Sequence, residues 1–92
     1  MLIIEADFVI IYNEVKMMKR NNIGKYKKLG LNIAYYRKAA GLSQSQLAEK
    51  INISRTHMSR IETADCAVSL DVIFDICSSL DISPCKLFDF RD

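Results

Sequence analysis

From Leu29 to Phe90 the apolar residues recur at three- and four-residue intervals, in short runs separated by Ser, Asn or Gly. That spacing puts an apolar stripe on one side of a helix, and it predicts five short helices. The first covers about 28–40, with Leu29, Ile33, Tyr36 and Ala40 as its stripe. Gly41 stops it, in the left-handed conformation that closes many helices. The second opens at Ser43, where Ser43-x-x-Gln46 is a capping box, and buries Leu47, Ala48 and Ile51. Asn52 suits a tight turn, Ile53 plugs the core, and Ser54 caps a third helix of about 55–63. Met58 and Ile61 face inward there; Arg55, Thr56, Ser59, Arg60 and Thr63 share the opposite side. After a loop at 64–68, Ser69 caps a fourth helix, 70–80, whose stripe reads Leu70, Ile73, Phe74, Cys77 and Leu80. Ser83-Pro84 starts a fifth, with proline at its favoured first position.

The expected architecture is therefore all-α: residues 23–92 as the helical domain and 1–22 as an N-terminal extension. Within the extension, Phe8, Ile11, Tyr12 and Val15 fit a helical stripe, and Phe8–Tyr12 fits a β-branched strand equally well. Either form would pack on the domain or on a second copy. Alternatively the natural start is Met17 or Met18, with Asn13-Glu14-Val15 encoded by a purine-rich run like a ribosome-binding site. The leader does not resemble a signal peptide, because it lacks a basic start and Glu5 and Asp7 interrupt it. Its cleanest apolar run, Phe8–Tyr12, is far short of the ~20 residues a membrane span needs.

Charge changes the picture more than composition does. The formal net charge of +2 conceals a division. Residues 16–60 hold eleven Lys or Arg and a single acid, Glu49, whereas residues 61–92 hold two bases and seven acids. A basic middle beside an acidic end points to a polyanionic partner on one face; solvated surface charge is the plainer reading. Cys66, Cys77 and Cys85 form no Cys-x-x-Cys pair, so neither a disulfide framework nor a zinc site is expected. Reduced thiols fit a cytoplasmic protein, with Cys77 in the core. No carboxylate pair, phosphate-binding glycine loop or nucleophile constellation is present, and a lone histidine, His57, makes neither a metal site nor a catalytic dyad. The expectation is no enzyme, no cofactor and no metal.

Taken together, Leu29-Gly30 with Ile33 and Arg37, Gly41-Leu42-Ser43-Gln44, Leu47-Ala48, Ile53-Ser54, Ile61-Glu62, Ser69-Leu70, Leu80-Asp81-Ile82-Ser83 and Leu87 fall in an order and spacing that resembles the Cro/cI-type (XRE) helix-turn-helix regulators. The resemblance covers about two thirds of the chain. It implies a five-helix, lambda-repressor-like DNA-binding domain in which helices 2 and 3 form the reading unit. It implies that Ala48 lets those helices approach closely, and that Arg37 and Glu62 bridge helix 1 to the end of helix 3. The chain departs from the family pattern in three places: Asn52 at the usual turn glycine, Ala64 at the glycine that ends helix 3, which implies a distorted cap, and Asp65-Cys66-Ala67-Val68 in place of a basic loop with proline.

On this reading Arg55 and Arg60 address guanine edges in the major groove, which admits one helix and shows a distinct pattern for each base pair. Thr56 meets a thymine methyl or a phosphate, Ser59 permits close approach, and His57 lies at the margin, as readily inert as in contact. Gln44 opens helix 2, where relatives use a glutamine to touch phosphate and brace the reading helix, and Lys38 and Lys50 are nonspecific phosphate partners. The lysines and arginines at 16–28 compensate for the poorly charged loop. Leu87, Phe88 and Phe90 form either core or a dimer surface. The expected partners are double-stranded DNA and a second copy, with no membrane. The competing expectation is a protein-interaction module, such as an antitoxin-like or anti-regulator subunit, whose apolar ends at 1–15 and 84–90 do the main work.

Overall fold

The computed structural model describes residues 20–90, and the expectations for the leader lie outside them. The described residues form a 3-10 turn, Arg20–Asn22, followed by α1 (Ile23–Ala39), α2 (Gln44–Lys50), α3 (Arg55–Glu62), α4 (Leu70–Leu80) and the single-turn α5 (Pro84–Leu87), with no strand among them. All five expected helices are present.

Helix α1 starts at Ile23, five residues earlier than the apolar spacing suggests. Its buried positions are Leu29, Gly30, Ile33 and Arg37, with Ile23 and Tyr26 half-buried ahead of them. Gly24, Lys25 and Lys27 interrupt the apolar spacing in the added turn, and Gly30 and Arg37 complete the buried stripe beside Leu29 and Ile33. Ala40, expected to extend the stripe, is exposed and caps the helix end instead. Helix α4 also turns by a register. Ile73, Ile76, Cys77 and Leu80 are buried, whereas Leu70 and Phe74, expected in the stripe, are 63% and 49% exposed. Several apolar residues lie side by side there, and two helical stripes compete on spacing alone. The core selects the one that includes Ile76. Cys77 is in the core as expected, and burial pushes its thiol pKa up, holding it protonated.

The helices turn sharply because four of them end in the same way. Gly41 (φ +76°), Asn52 (+60°), Ala64 (+61°) and Asp81 (+53°) are all left-handed. At each, the next residue's N–H reaches back five residues: Leu42 to Arg37 O (3.1 Å), Ile53 to Ala48 O (3.0 Å), Asp65 to Arg60 O (2.8 Å) and Ile82 to Cys77 O (3.0 Å). These are Schellman closures, which satisfy carbonyls that the helix leaves unpaired. Leu42, Ile53 and Ile82 then drop onto the core, the apolar contact that accompanies the motif. The cap after α3 is therefore regular, not distorted as Ala64 had suggested. Alanine adopts the glycine conformation, and the penalty resides in its φ. At the other ends, Ser43, Ser54 and Ser69 accept the N–H of Gln46, His57 and Val72, and the Ser43–Gln46 capping box is complete. Ser83 makes no such cap, so α5 relies on Pro84 and on Leu87, which is fully buried.

Leu47, Met58, Ile33, Ile73 and Ile76 meet at the centre. Asn32 ties α1 to the chain end by donating to Leu87 O (2.8 Å) and Asp89 O (3.3 Å). Gly30 sets the closest approach, because a Cβ there would lie 2.3 Å from the Glu62 carbonyl oxygen.

Gly30→Ala is expected to cost about 3 kcal/mol, since α1 and α3 must separate along a packed face. Ala64→Gly is expected to stabilise the protein by about 1 kcal/mol, by removing the left-handed strain of a Cβ. Urea denaturation of both variants beside the parent measures the two shifts, which should have opposite signs.

Candidate nucleic-acid interface

Helix α3 has two chemically distinct sides. Met58 and Ile61 are buried in the core, and Glu62 joins them at the helix end. On the other side Arg55 and Thr56 are exposed, and His57, Ser59 and Arg60 are half-buried. The five expected contact residues of α3 thus lie on its outer side or at the margin. Ser54 fixes where this face begins, because its hydroxyl accepts the His57 N–H at 3.0 Å. The Asn52 turn and Ala48, which is buried, hold α2 and α3 close together.

A buried polar cluster holds the same helix from behind. Glu62 Oε2 accepts from Arg37 Nε at 2.7 Å, and its Oε1 accepts from Arg37 Nη2 at 3.0 Å. The third guanidinium nitrogen, Nη1, donates to the Leu42 carbonyl at 2.8 Å. Gln44 Nε2 donates to Glu62 Oε1 at 3.0 Å. Arg37 and Glu62 are 7% and 9% exposed, so both charges lie in a medium where an unpaired charge is expensive. The two-pronged geometry matches the planar guanidinium to the carboxylate. One cluster therefore joins α1, the α1–α2 turn, the first residue of α2 and the last residue of α3. Arg37 pairs with Glu62, and the Gln44 side chain braces α3 directly, with one amide N–H left for an outside acceptor.

The surrounding surface is uneven. Lys38 in the last turn of α1 and Lys50 at the end of α2 are exposed, as are Lys25 and Lys27 on the early turns of α1. Beyond α3 the chain turns acidic. The Thr63 hydroxyl lies 2.9 Å from Ser59 O and 3.0 Å from Asp65 Oδ2, and can donate to either. Cys66, in the expected loop, is buried and anchors 64–68 to the core. Of the expected dimer surface, Leu87 is core, Phe90 packs half-buried against the core, and only Phe88 is 44% exposed. Among the described residues no group of His, Cys, Asp or Glu could hold a metal, and no helix is long and apolar enough to cross a membrane.

Residues 33–87 match the helix-turn-helix family, a span that runs from the middle of α1 to the end of α5. No curated protein matches the chain. Among solved structures, the chain is similar to the restriction-modification controller protein C.AhdI from Aeromonas hydrophila. The two are 34% identical with a TM-score of 0.68, over 71% of this chain and 98% of that one. It is also similar to the clp gene regulator ClgR from Corynebacterium glutamicum, at 24% identity and a TM-score of 0.66. That likeness covers 67% of this chain and 66% of that one, and it concerns the fold.

Glu62→Ala strands the Arg37 guanidinium and should cost about 3–5 kcal/mol. The double replacement Arg37→Met/Glu62→Leu removes both charges and should recover more than half of that loss. A thermal-melt comparison of the single and double variants tests the point. Equal losses would show that packing, not the charge pair, holds α3.

Proposed function

The chain belongs to the helix-turn-helix family, and on that premise we propose that it is a cytoplasmic transcriptional regulator, a repressor without catalytic activity, that binds double-stranded DNA sequence-specifically. The observation that carries this reading is the outer side of α3. Arg55, Thr56, Ser59 and Arg60 share it, while the inner side is fixed by Met58, Ile61 and the Glu62 cluster. A recognition helix needs long polar donors on one face of a rigid element, and each arginine can donate two hydrogen bonds to guanine O6 and N7.

In this proposal the rest of the surface positions the helix without reading sequence. Gln44, Lys38 and Lys50 meet phosphates on either side of the groove, and His57 touches the backbone at its margin. The basic residues before and along the first turns of α1 take over the phosphate contacts that an acidic Asp65 cannot make. The protein acts as a homodimer on a two-fold operator, with half-sites about one helical turn apart. The name of C.AhdI, a restriction-modification controller protein, supports a role in gene control. The competing reading, a protein-interaction module, draws on the exposed Leu31, Tyr35, Leu70 and Phe74.

Selection of bound sequences from random duplexes separates the two. The parent protein should recover a two-fold motif, and Arg55→Ala and Arg60→Ala should each lose ~1–3 kcal/mol of discrimination at one base pair per half-site. Lys50→Ala should weaken binding evenly across sequences and flatten its salt dependence. Recovery of no motif would favour the interaction module, and a motif unchanged in both arginine variants would remove α3 as the reader.

A further inference from the structure

Between the start of α1, the N-terminal end of α4 and the chain end lies an open groove of about 480 Å³. Tyr26, Leu70, Phe88 and Phe90 are among its apolar walls, and Asn22 and Lys25 are its polar lining residues. Leu70 is 63% exposed and Phe88 is 44% exposed, so this apolar surface has no cover among the described residues. Phe88 and Phe90 lean toward each other, with ring centroids 6.1 Å apart, and present a continuous aromatic wall.

We propose that the groove is the docking site of this chain's own leader, through Phe8-Val9-Ile10-Ile11-Tyr12. The reading of α3 as a DNA-binding element is not needed for this.

Three observations select that occupant. The first is position. The described chain begins at Arg20, and Asn22, two residues on, lines the groove. Residues 13–19 span at most ~23–25 Å when extended, enough for Phe8–Tyr12 to reach the groove. The second is chemistry. Phe8–Tyr12 is five consecutive apolar residues, and the acids Glu5, Asp7 and Glu14 flank it. The groove's lining is apolar apart from Asn22 and Lys25, and Lys27 and Lys28 follow on α1. A leader that carries three acids in its first fifteen residues meets the basic end of the domain. The third is tethering. A short covalent connection holds the segment at an effective concentration on the order of millimolar, so at micromolar protein it outcompetes the same surface of a second copy.

The protein has no tryptophan, so Phe8→Trp in the full chain gives a single reporter. Its emission should be blue-shifted, protected from acrylamide, and unchanged on dilution. Adding Leu70→Lys, at an exposed position in the groove, should return the emission to that of a solvated indole. Adding Leu31→Lys, at an equally exposed position outside it, should leave the emission in place. Helical circular dichroism should be the same in all three proteins. A solvated indole in the Phe8→Trp protein would overturn the proposal. So would a blue shift that disappears on dilution, which would make a second copy the occupant. A blue shift that survives Leu70→Lys would place the segment elsewhere and overturn it as well.

Discussion

A guanidinium that loses water inside a domain has to recover its hydrogen bonds from the protein, or the fold loses several kcal/mol. Arg37 recovers them from Glu62 and from the Leu42 carbonyl, and the rest of the helix-turn-helix unit is arranged around those partners. Glu62 is the last residue of α3, Leu42 is in the turn after α1, and Gln44 reaches the same carboxylate from the first residue of α2. The cluster therefore fixes three elements relative to one another with directional bonds. Apolar packing alone is less selective, because it tolerates small slides and rotations. Directional bonding matters most for α3, whose outer face can present its side chains in register only if the helix does not roll.

Short connections do the remaining positioning. Four helix ends close through a left-handed residue, and in three of them the following apolar residue drops into the core. The exception follows α3, where Asp65 takes the place of the apolar residue and Ala64 that of glycine. The loop is instead held by Cys66, which is buried, and by the Thr63 hydroxyl beside Asp65. A local acid thus sits immediately beyond the proposed reading helix. Its charge acts against phosphate binding in that loop, and in the proposed function the electrostatic work falls to α1.

Much of this was legible in the sequence. Serine caps, the Ser43–Gln46 box, the Asn52 turn and the inward positions of α2 and α3 are local features, decided within a few residues. What was not legible depended on partners distant in the chain. The start of α1 has a weak local signal, because residues 23–28 hold only Ile23 and Tyr26 as apolar residues, beside Gly24 and three lysines, and both are only half-buried. Gly30 is informative only once Glu62 is known to press against it. The stripe of α4 could not be fixed, because adjacent apolar residues support two registers and only the core distinguishes them. Leu87 read equally as core or dimer surface until Asn32 and α1 were found to enclose the chain end. Gln44 reads as a phosphate contact and a brace for helix 3 only by resemblance; its bond to Glu62, 18 residues away, has no local signal. The paired charges, by contrast, were found from the resemblance and not from spacing.

Charge completes the functional argument. The exposed lysines of the described chain lie mostly on α1 and α2, Arg55 is exposed on α3, and the acids gather on the later part of the chain. In the proposed function that division orients the protein on a polyanion before any base is read. The central claim is that α3 reads base edges in the major groove. Methylation interference on a bound duplex tests it most directly, because methylation of guanine N7 marks the major groove and methylation of adenine N3 marks the minor groove. The account predicts that N7 methylation at one or two guanines per half-site blocks binding, and that an arginine-to-alanine change at Arg55 or Arg60 removes sensitivity at one of them. Interference confined to adenine N3, or sensitivity unchanged when both arginines are replaced, would contradict it.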